Sequence, residues 1–126
     1  MPLFIAGGHS TYNPEPMADF IDAFVVGEGE EVIFDILKVL GEWKASDAPK
    51  IELLRRLAGI WGVYVPALYR PEYNEDGTIA AVVPADPAAP AKVLKRIVAM
   101  LPPPPTRPIV PYISTIHNRF AVEIMR

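Results

Sequence analysis

The chain has 126 residues, 51% hydrophobic and 21% charged, with a net charge of -3. That length suits one domain, and the composition excludes wholesale disorder. The complete lack of cysteine excludes a disulfide scaffold, a thiolate zinc site and a cysteine-held iron–sulfur cluster within these residues. Proline is in excess: 15 residues, 11 of them between 66 and 111, against a usual share of ~5%.

No apolar run approaches the ~18 residues of a membrane span. Met1 to Ala6 has no basic segment and too short an apolar core for a signal peptide, so a cytoplasmic protein is expected. Residues 1–60 carry a charge of -5 and residues 61–126 a charge of +2. Neither half has a basic stripe, so no nucleic-acid surface is expected.

In chain order, Leu3-Phe4-Ile5-Ala6 reads as a strand buried on both faces. Gly7-Gly8 ends it, and a polar loop runs to Glu15. Pro16 suits the first position of a helix that places Met17, Phe20 and Ile21 on one face. Ala23-Phe24-Val25-Val26 reads as a second buried strand, and Gly27-Glu28-Gly29-Glu30 turns out of it. A longer helix is predicted from Glu30 to Trp43, with Val32, Ile33, Ile36, Leu37 and Leu40 in helical period. This strand–helix–strand–helix order is the unit of a parallel α/β sheet. A further helix follows, with Ser46 or Asp47 as its cap, Pro49 in its first turn and Gly59 at its end. Ile51, Leu54, Leu57 and Ala58 form its apolar face.

The character changes past residue 60. Gly62 to Pro66 alternates as a short strand. Asn74-Glu75-Asp76-Gly77 is a turn signal between strands Leu68–Tyr73 and Thr78–Val83. Ala91–Leu101 fits either a helix or an extended segment. Pro102–Pro105 is expected to be polyproline II, a semi-rigid spacer. Ser114–Met125 reads as a strand.

Two glycine loops are the candidate site. Gly7 and Gly8 stand where a parallel strand delivers its C-terminal end, the place where ligands of open α/β sheets gather. Glycine there admits close approach of a ligand to the backbone. The plain alternative is a strand exit that needs a positive φ. His9 and Ser10, next on the loop, offer hydrogen bonds to a ribose, a phosphate or an amide; the alternative is a solvated loop. Gly27, Glu28 and Gly29 open a helix. Glu30 and Glu31 suit its dipole, and Glu28 is an acceptor for sugar hydroxyls. Carboxylates here disfavour a phosphate loop, and no Walker lysine or GxGxxG is present. His9, His117 and Glu123 lack metal-ligand spacing, so no metal site is expected. No catalytic residue is identified. Trp43, Trp61, Tyr64, Tyr69 and Tyr73 suit packing. Arg119 and Arg126 read either as partners for carboxylates near the end of the last strand or as a solvated strand end.

Three segments carry a family likeness: Ile5 to Pro16 (IAGGHSTYNPEP), Val25 to Glu31 (VVGEGEE), and Val110 through Ile116-His117-Asn118-Arg119 to Arg126. Together they resemble the cobalamin-binding radical S-adenosylmethionine proteins, in an uncharacterised bacterial subgroup. In that family the strand matching Val122–Arg126 leads into the CxxxCxxC cluster motif. The DxHxxG axial-ligand pattern is absent around His9. The resemblance implies a partial Rossmann-like, flavodoxin-like parallel sheet with helices, followed by a small β-rich and proline-rich linker. It divides the chain into residues 1–60, the C-terminal half of a cobalamin-type domain; 61–111, a hairpin and linker; and 112–126, the first strand of a radical barrel. Gly7, Gly8, His9, Ser10, Gly27, Glu28 and Gly29 would line the cobalamin groove. The parent enzyme would bind S-adenosylmethionine and a four-iron four-sulfur cluster, with cobalamin as a further cofactor.

The chain then reads as a fragment without catalysis of its own, whose partners are the parent's other domains. An exposed sheet edge makes self-association the second expected partnership. The alternatives are a nucleotide or small-ligand binding module, or an interdomain connector.

Overall fold

The structure is a computed structural model, and it describes residues 2–100, 102 and 103. Among the described residues, five strands and two α-helices form a mixed α/β architecture. Strands β1 (Ile5–Ala6), β2 (Ala23–Val25) and β3 (Val63–Tyr64) make a sheet in that order. The pair β1–β2 is parallel, with Ile5 opposite Ala23 and Ala6 opposite Phe24. The pair β2–β3 is antiparallel, with Phe24 opposite Tyr64 and Val25 opposite Val63. The sheet is therefore mixed where an all-parallel one is expected from the sequence.

Side chains alternate across a strand, so this register sorts the sheet into two faces. Ala23, Val25 and Val63 face helices α1 (Gly29–Lys44) and α2 (Lys50–Ala58). Ala6, Phe24 and Tyr64 lie on the opposite face. Val32 and Ile36 of α1 and Leu53, Leu54, Leu57 and Ala58 of α2 complete the buried core. Val65, Leu68 and Ala89 join it, so one core draws on residues from both sides of position 60.

Helix α1 lies close to its predicted span, yet its apolar residues divide between two faces. Val32 and Ile36 are buried, with Val39 and Trp43 packed behind them. Ile33, Phe34 and Leu37 are exposed. Helix α2 begins after Pro49, which is itself the N-cap, and no side chain caps it. Ser46 instead donates its hydroxyl to the Trp43 carbonyl.

Two expectations fail in the first quarter of the chain. The segment Leu3–Ala6 is not buried on both faces: Phe4 is 55% and Ile5 38% exposed. It is an edge strand, with no further strand beyond it among the described residues. No α-helix follows Pro16. Residues His9–Tyr12 and Glu15–Met17 form two 3-10 turns; Met17 ends the second, and Phe20 lies beyond it. Phe20 is exposed.

Past β3 the chain forms the expected hairpin. β4 (Tyr69–Tyr73) pairs antiparallel with β5 (Ile79–Pro84). Asp76 fastens the turn by accepting from the Thr78 amide and hydroxyl. Residues 91–100 form neither a helix nor a strand: they are irregular, with bends at 91–92 and 99–100 and an isolated bridge at Arg96. The Ser114–Met125 strand and Pro104 and Pro105 of the Pro102–Pro105 run lie outside the described residues.

Candidate functional site

Because β1 and β2 are neighbours and parallel, the loops that leave their C-terminal ends emerge at one end of the sheet. The Gly7–Ser10 loop and the Gly27–Gly29 turn leave the sheet at the same end in this way. Their surroundings differ.

The Gly7–Ser10 loop is open. Gly8 has a φ of 103°, and a Cβ added to it would meet nothing within 4 Å. His9 and Ser10 are exposed. What fixes this loop is Thr11, which the sequence reading did not single out. It is the one buried polar residue among those described. Its hydroxyl lies 2.7 Å from the Gly8 carbonyl and 3.0 Å from the Val25 carbonyl, so it ties the loop to the end of β2. Ala6, Gly7, Ser10, Thr11 and Asn13 border a cavity of about 480 Å³, floored by Met17, Ile21 and Phe24. It has an apolar floor and a rim of hydroxyl, amide and backbone groups.

Below this cavity, the Tyr64 hydroxyl donates to the Glu15 carboxylate. Burial first, and that hydrogen bond second, push the Tyr64 phenol far above its ordinary range. The Tyr64 ring packs at a tilt against Tyr69, with 4.7 Å between ring centres, and the Tyr69 hydroxyl donates to the Pro90 carbonyl. These contacts pin the connection between β1 and β2, and the hairpin, to one face of the sheet.

The Gly27–Gly29 turn is closed. Arg96 runs alongside it as an isolated parallel bridge to Gly27. The Arg96 amide donates to the Val26 carbonyl at 2.8 Å, and the Glu28 amide donates to the Arg96 carbonyl at 3.2 Å. Gly27 has a φ of 109°, and a Cβ there would lie 2.7 Å from the Arg96 nitrogen and nearer still to its oxygen. Gly62, at a φ of 86°, meets the Arg96 Cβ from the other side. Two glycines thus form a cradle for one backbone. The Glu28 carboxylate accepts from the Val98 amide, so the group expected to receive sugar hydroxyls is already engaged. Gly29 is the first residue of α1 and has open space beside it.

The Arg96 side chain completes the closure. Its guanidinium reaches Glu31 at 3.1 Å and Asp35 at 3.0 Å, and lies 5.2 Å over the Trp61 ring. Each partly exposed ion pair is worth about 0–1 kcal/mol, and the cation–π contact about 0.5–2 kcal/mol. Against these stands Nε of Arg96, buried and without a hydrogen-bond partner, a cost of about 1–3 kcal/mol. The side-chain terms of Arg96 alone are thus close to balance, and the three hydrogen bonds at Val26, Glu28 and Val98, with the buried Val98 side chain, hold the closure. The sequence reading missed Arg96 because its partners are distant in the chain, with Glu31 65 residues away.

Among the described residues no cluster of three or more His, Asp or Glu could hold a metal. The His117 and Glu123 candidates lie outside those residues. No helix among them is long and apolar enough to cross a membrane.

The geometry thus shows two glycine loops at the carboxyl end of a parallel strand pair, in a chain without cysteine. No curated protein and no solved structure matches the chain. The family described as radical SAM proteins, N-terminal, matches residues 1–66, the span that holds both loops, both helices and all three strands of the sheet. That match covers more than half of the sequence, and the chain belongs to the N-terminal family of radical SAM proteins.

Proposed function

We propose that this chain supplies part of a cobalamin groove, and the linker that follows it, to a radical SAM enzyme, and that it catalyses nothing alone. The observation that carries the reading is the parallel β1–β2 pair, which delivers Gly7–Ser10 and Gly27–Gly29 to one end of the sheet. Open α/β sheets bind ligands at that end. The cavity beside the first loop fits the nucleotide tail of cobalamin. Met17, Ile21 and Phe24 accept an aromatic base, and Ser10, Asn13 and the Gly7–Gly8 backbone meet the attached sugar. In this reading the sheet, with its antiparallel third strand, is the closing part of a Rossmann-like domain.

The radical SAM family implies S-adenosylmethionine and a four-iron four-sulfur cluster in the whole enzyme. The residues here do not fit that cluster, because a chain without cysteine has no thiolate to hold it. Its own residues bind and orient, and no step of the radical chemistry runs through them.

The open edge of β1, with Phe4 and Ile5 beside it, is the surface we propose for self-association or for docking of the parent's other domains. Unpaired strand edges pair readily.

Titration of the chain with hydroxocobalamin, adenosine and AMP tests the reading. Saturable binding of hydroxocobalamin, lost on Gly8→Trp with the circular dichroism spectrum unchanged, is the expected result. Binding of AMP but not hydroxocobalamin would move the chain to a nucleotide-binding module. Binding of none would leave an interdomain connector.

A further inference from the structure

The core is left open on the side of β1. Phe4 turns its backbone toward β2: its carbonyl accepts from the Asp22 and Ala23 amides, and its amide donates to the Asp22 carboxylate at 2.8 Å. Backbone groups alternate between the two sides of a strand. Leu3 and Ile5 therefore turn theirs to the open side, where no strand follows among the described residues. Their side chains lie on the helix face of the sheet, with Ala23. There, with Leu40, Trp43 and Leu53, they line a cavity of about 550 Å³. Helix α1 continues the same surface. At 3.6 residues per turn, Ile33, Leu37, Leu40 and Lys44 fall on one stripe. Leu40 and Lys44 border the cavity, and Ile33 and Leu37 are exposed. An unpaired strand edge and an uncovered apolar stripe thus lie side by side.

This surface is complementary to itself. A two-fold axis that pairs β1 antiparallel with β1 of a second copy also sets the two α1 helices antiparallel. With Leu37 on the axis, Ile33 of each copy comes opposite Gly41 of the other, and a side chain at Gly41 would meet nothing within 4 Å, so there is room for it. The acidic first turn of α1, Glu30 and Glu31, comes opposite the basic last turn, Lys44. Lys44 forms no ion pair among the described residues. Antiparallel helices also oppose their dipoles. A parallel arrangement would instead set Lys44 against Lys44.

We propose that two copies of this chain join through the free edge of β1 and the Ile33–Leu37–Leu40 stripe of α1, as a two-fold dimer with Leu37 at its axis. This rests on the docking role proposed above for the β1 edge. It does not rest on the cobalamin groove, whose cavity lies beside Ala6 and Phe24 on the other face of the sheet.

The chain has no cysteine, so a single introduced cysteine reports the axis directly. Leu37→Cys is expected to form an intermolecular disulfide on mild oxidation about tenfold faster than Lys38→Cys, because only a residue at the axis meets its own copy. Sedimentation of the unaltered chain is expected to show a monomer–dimer equilibrium. In the dimer the Leu3 and Ile5 amides should exchange about tenfold more slowly than in the monomer, with the Phe4 amide unchanged. Leu37→Lys, at an exposed position, places two like charges on the axis and is expected to leave a folded monomer. Its hydroxocobalamin titration should match that of the unaltered chain, so failure of the dimer and failure of the groove are seen separately. A monomer at millimolar concentration would overturn the proposal. So would equal disulfide rates at 37 and 38, or a dimer that survives Leu37→Lys. Saturable binding of decanoate by a monomer would also overturn it, and would make the cavity beside Lys44 a pocket for an apolar anion.

Discussion

The two glycine loops leave neighbouring parallel strands at the same end of the sheet, and both contain a glycine at positive φ, Gly8 at 103° and Gly27 at 109°. They use that freedom for different reasons. At Gly8 the space a side chain would fill is empty, so glycine serves the turn alone. At Gly27 the same space holds the Arg96 backbone, so glycine serves both the turn and a long-range contact. A dipeptide motif therefore does not tell whether a glycine faces a ligand, solvent or another part of its own chain.

Alanine substitution is the sharpest way to break this comparison. Gly27→Ala carries both the left-handed strain and a clash with backbone that has nowhere to move. We expect a loss of about 3 kcal/mol in urea unfolding, against about 1 kcal/mol for Gly8→Ala, which carries strain alone. Equal losses would mean that Arg96 yields freely and that the two loops are not different in kind.

The next test compares what holds each loop from beneath. The connection that continues from the open loop rests on the Glu15–Tyr64 hydrogen bond, and the closed loop on Arg96. Tyr64→Phe is expected to cost about 1.5 kcal/mol, the worth of a hydrogen bond to a charged group. It also has a signature in pH. The Tyr64 phenol is raised in the fold by burial and by Glu15, while an unfolded tyrosine titrates near ~10. The folded state thus keeps a proton that the unfolded state releases. Its stabilisation is whole below about pH 9 and declines as pH rises past about 10. Tyr69, raised by burial, adds to the same slope. Unfolding free energies between pH 8 and 11 should fall steeply in the unaltered chain and less steeply in Tyr64→Phe.

How far the sequence revealed this arrangement depends on the range of the forces involved. Helix α1 shows in its 3.6-residue period, β2 in its apolar run and the hairpin in Asn74–Gly77, because each is decided by neighbours in the chain. The 3-10 turns between β1 and β2 are less legible. Pro14 and Pro16 lack an amide donor, and Ser10, Thr11 and Asn13 compete for backbone bonds locally, so short 3-10 turns stand where the Met17–Phe20–Ile21 spacing suggests an α-helix. The exposure of Phe4 and Ile5 depends on a neighbouring strand, and no pattern within Leu3–Ala6 reports that. Of the candidate site, the sequence places both loops correctly at strand ends. It gives no hint that Glu28 is held by Val98, since that depends on a proline-flanked segment equally compatible with helix and strand.

Thr11 joins the two loops, and its removal measures how far they are coupled. Thr11→Val keeps the shape and deletes the hydroxyl that bridges the Gly8 and Val25 carbonyls. The Gly8 carbonyl still accepts from the Thr11 amide at 3.1 Å, so only part of the network is lost. A cost of about 1 kcal/mol is expected. Amide exchange should quicken at residues 8–11 and stay unchanged at 26–31. Acceleration of both loops would show that the closed loop borrows its order from the open one.

The smallest effect on stability is expected at the residues most exposed to a ligand. The His9 and Ser10 side chains make no hydrogen bond among the described residues and stand in solvent. Replacing either with alanine should change unfolding free energy by no more than about 0.5 kcal/mol. That neutrality is what makes them informative. A loop held by Thr11 from behind keeps its shape without them, so any loss of hydroxocobalamin affinity in His9→Ala or Ser10→Ala reports a direct contact. A lost hydrogen bond of about 1 kcal/mol corresponds to roughly a fivefold weaker affinity. An unchanged affinity in both variants would leave only the Gly7–Gly8 backbone and the apolar floor of the cavity to recognise the ligand at the open loop.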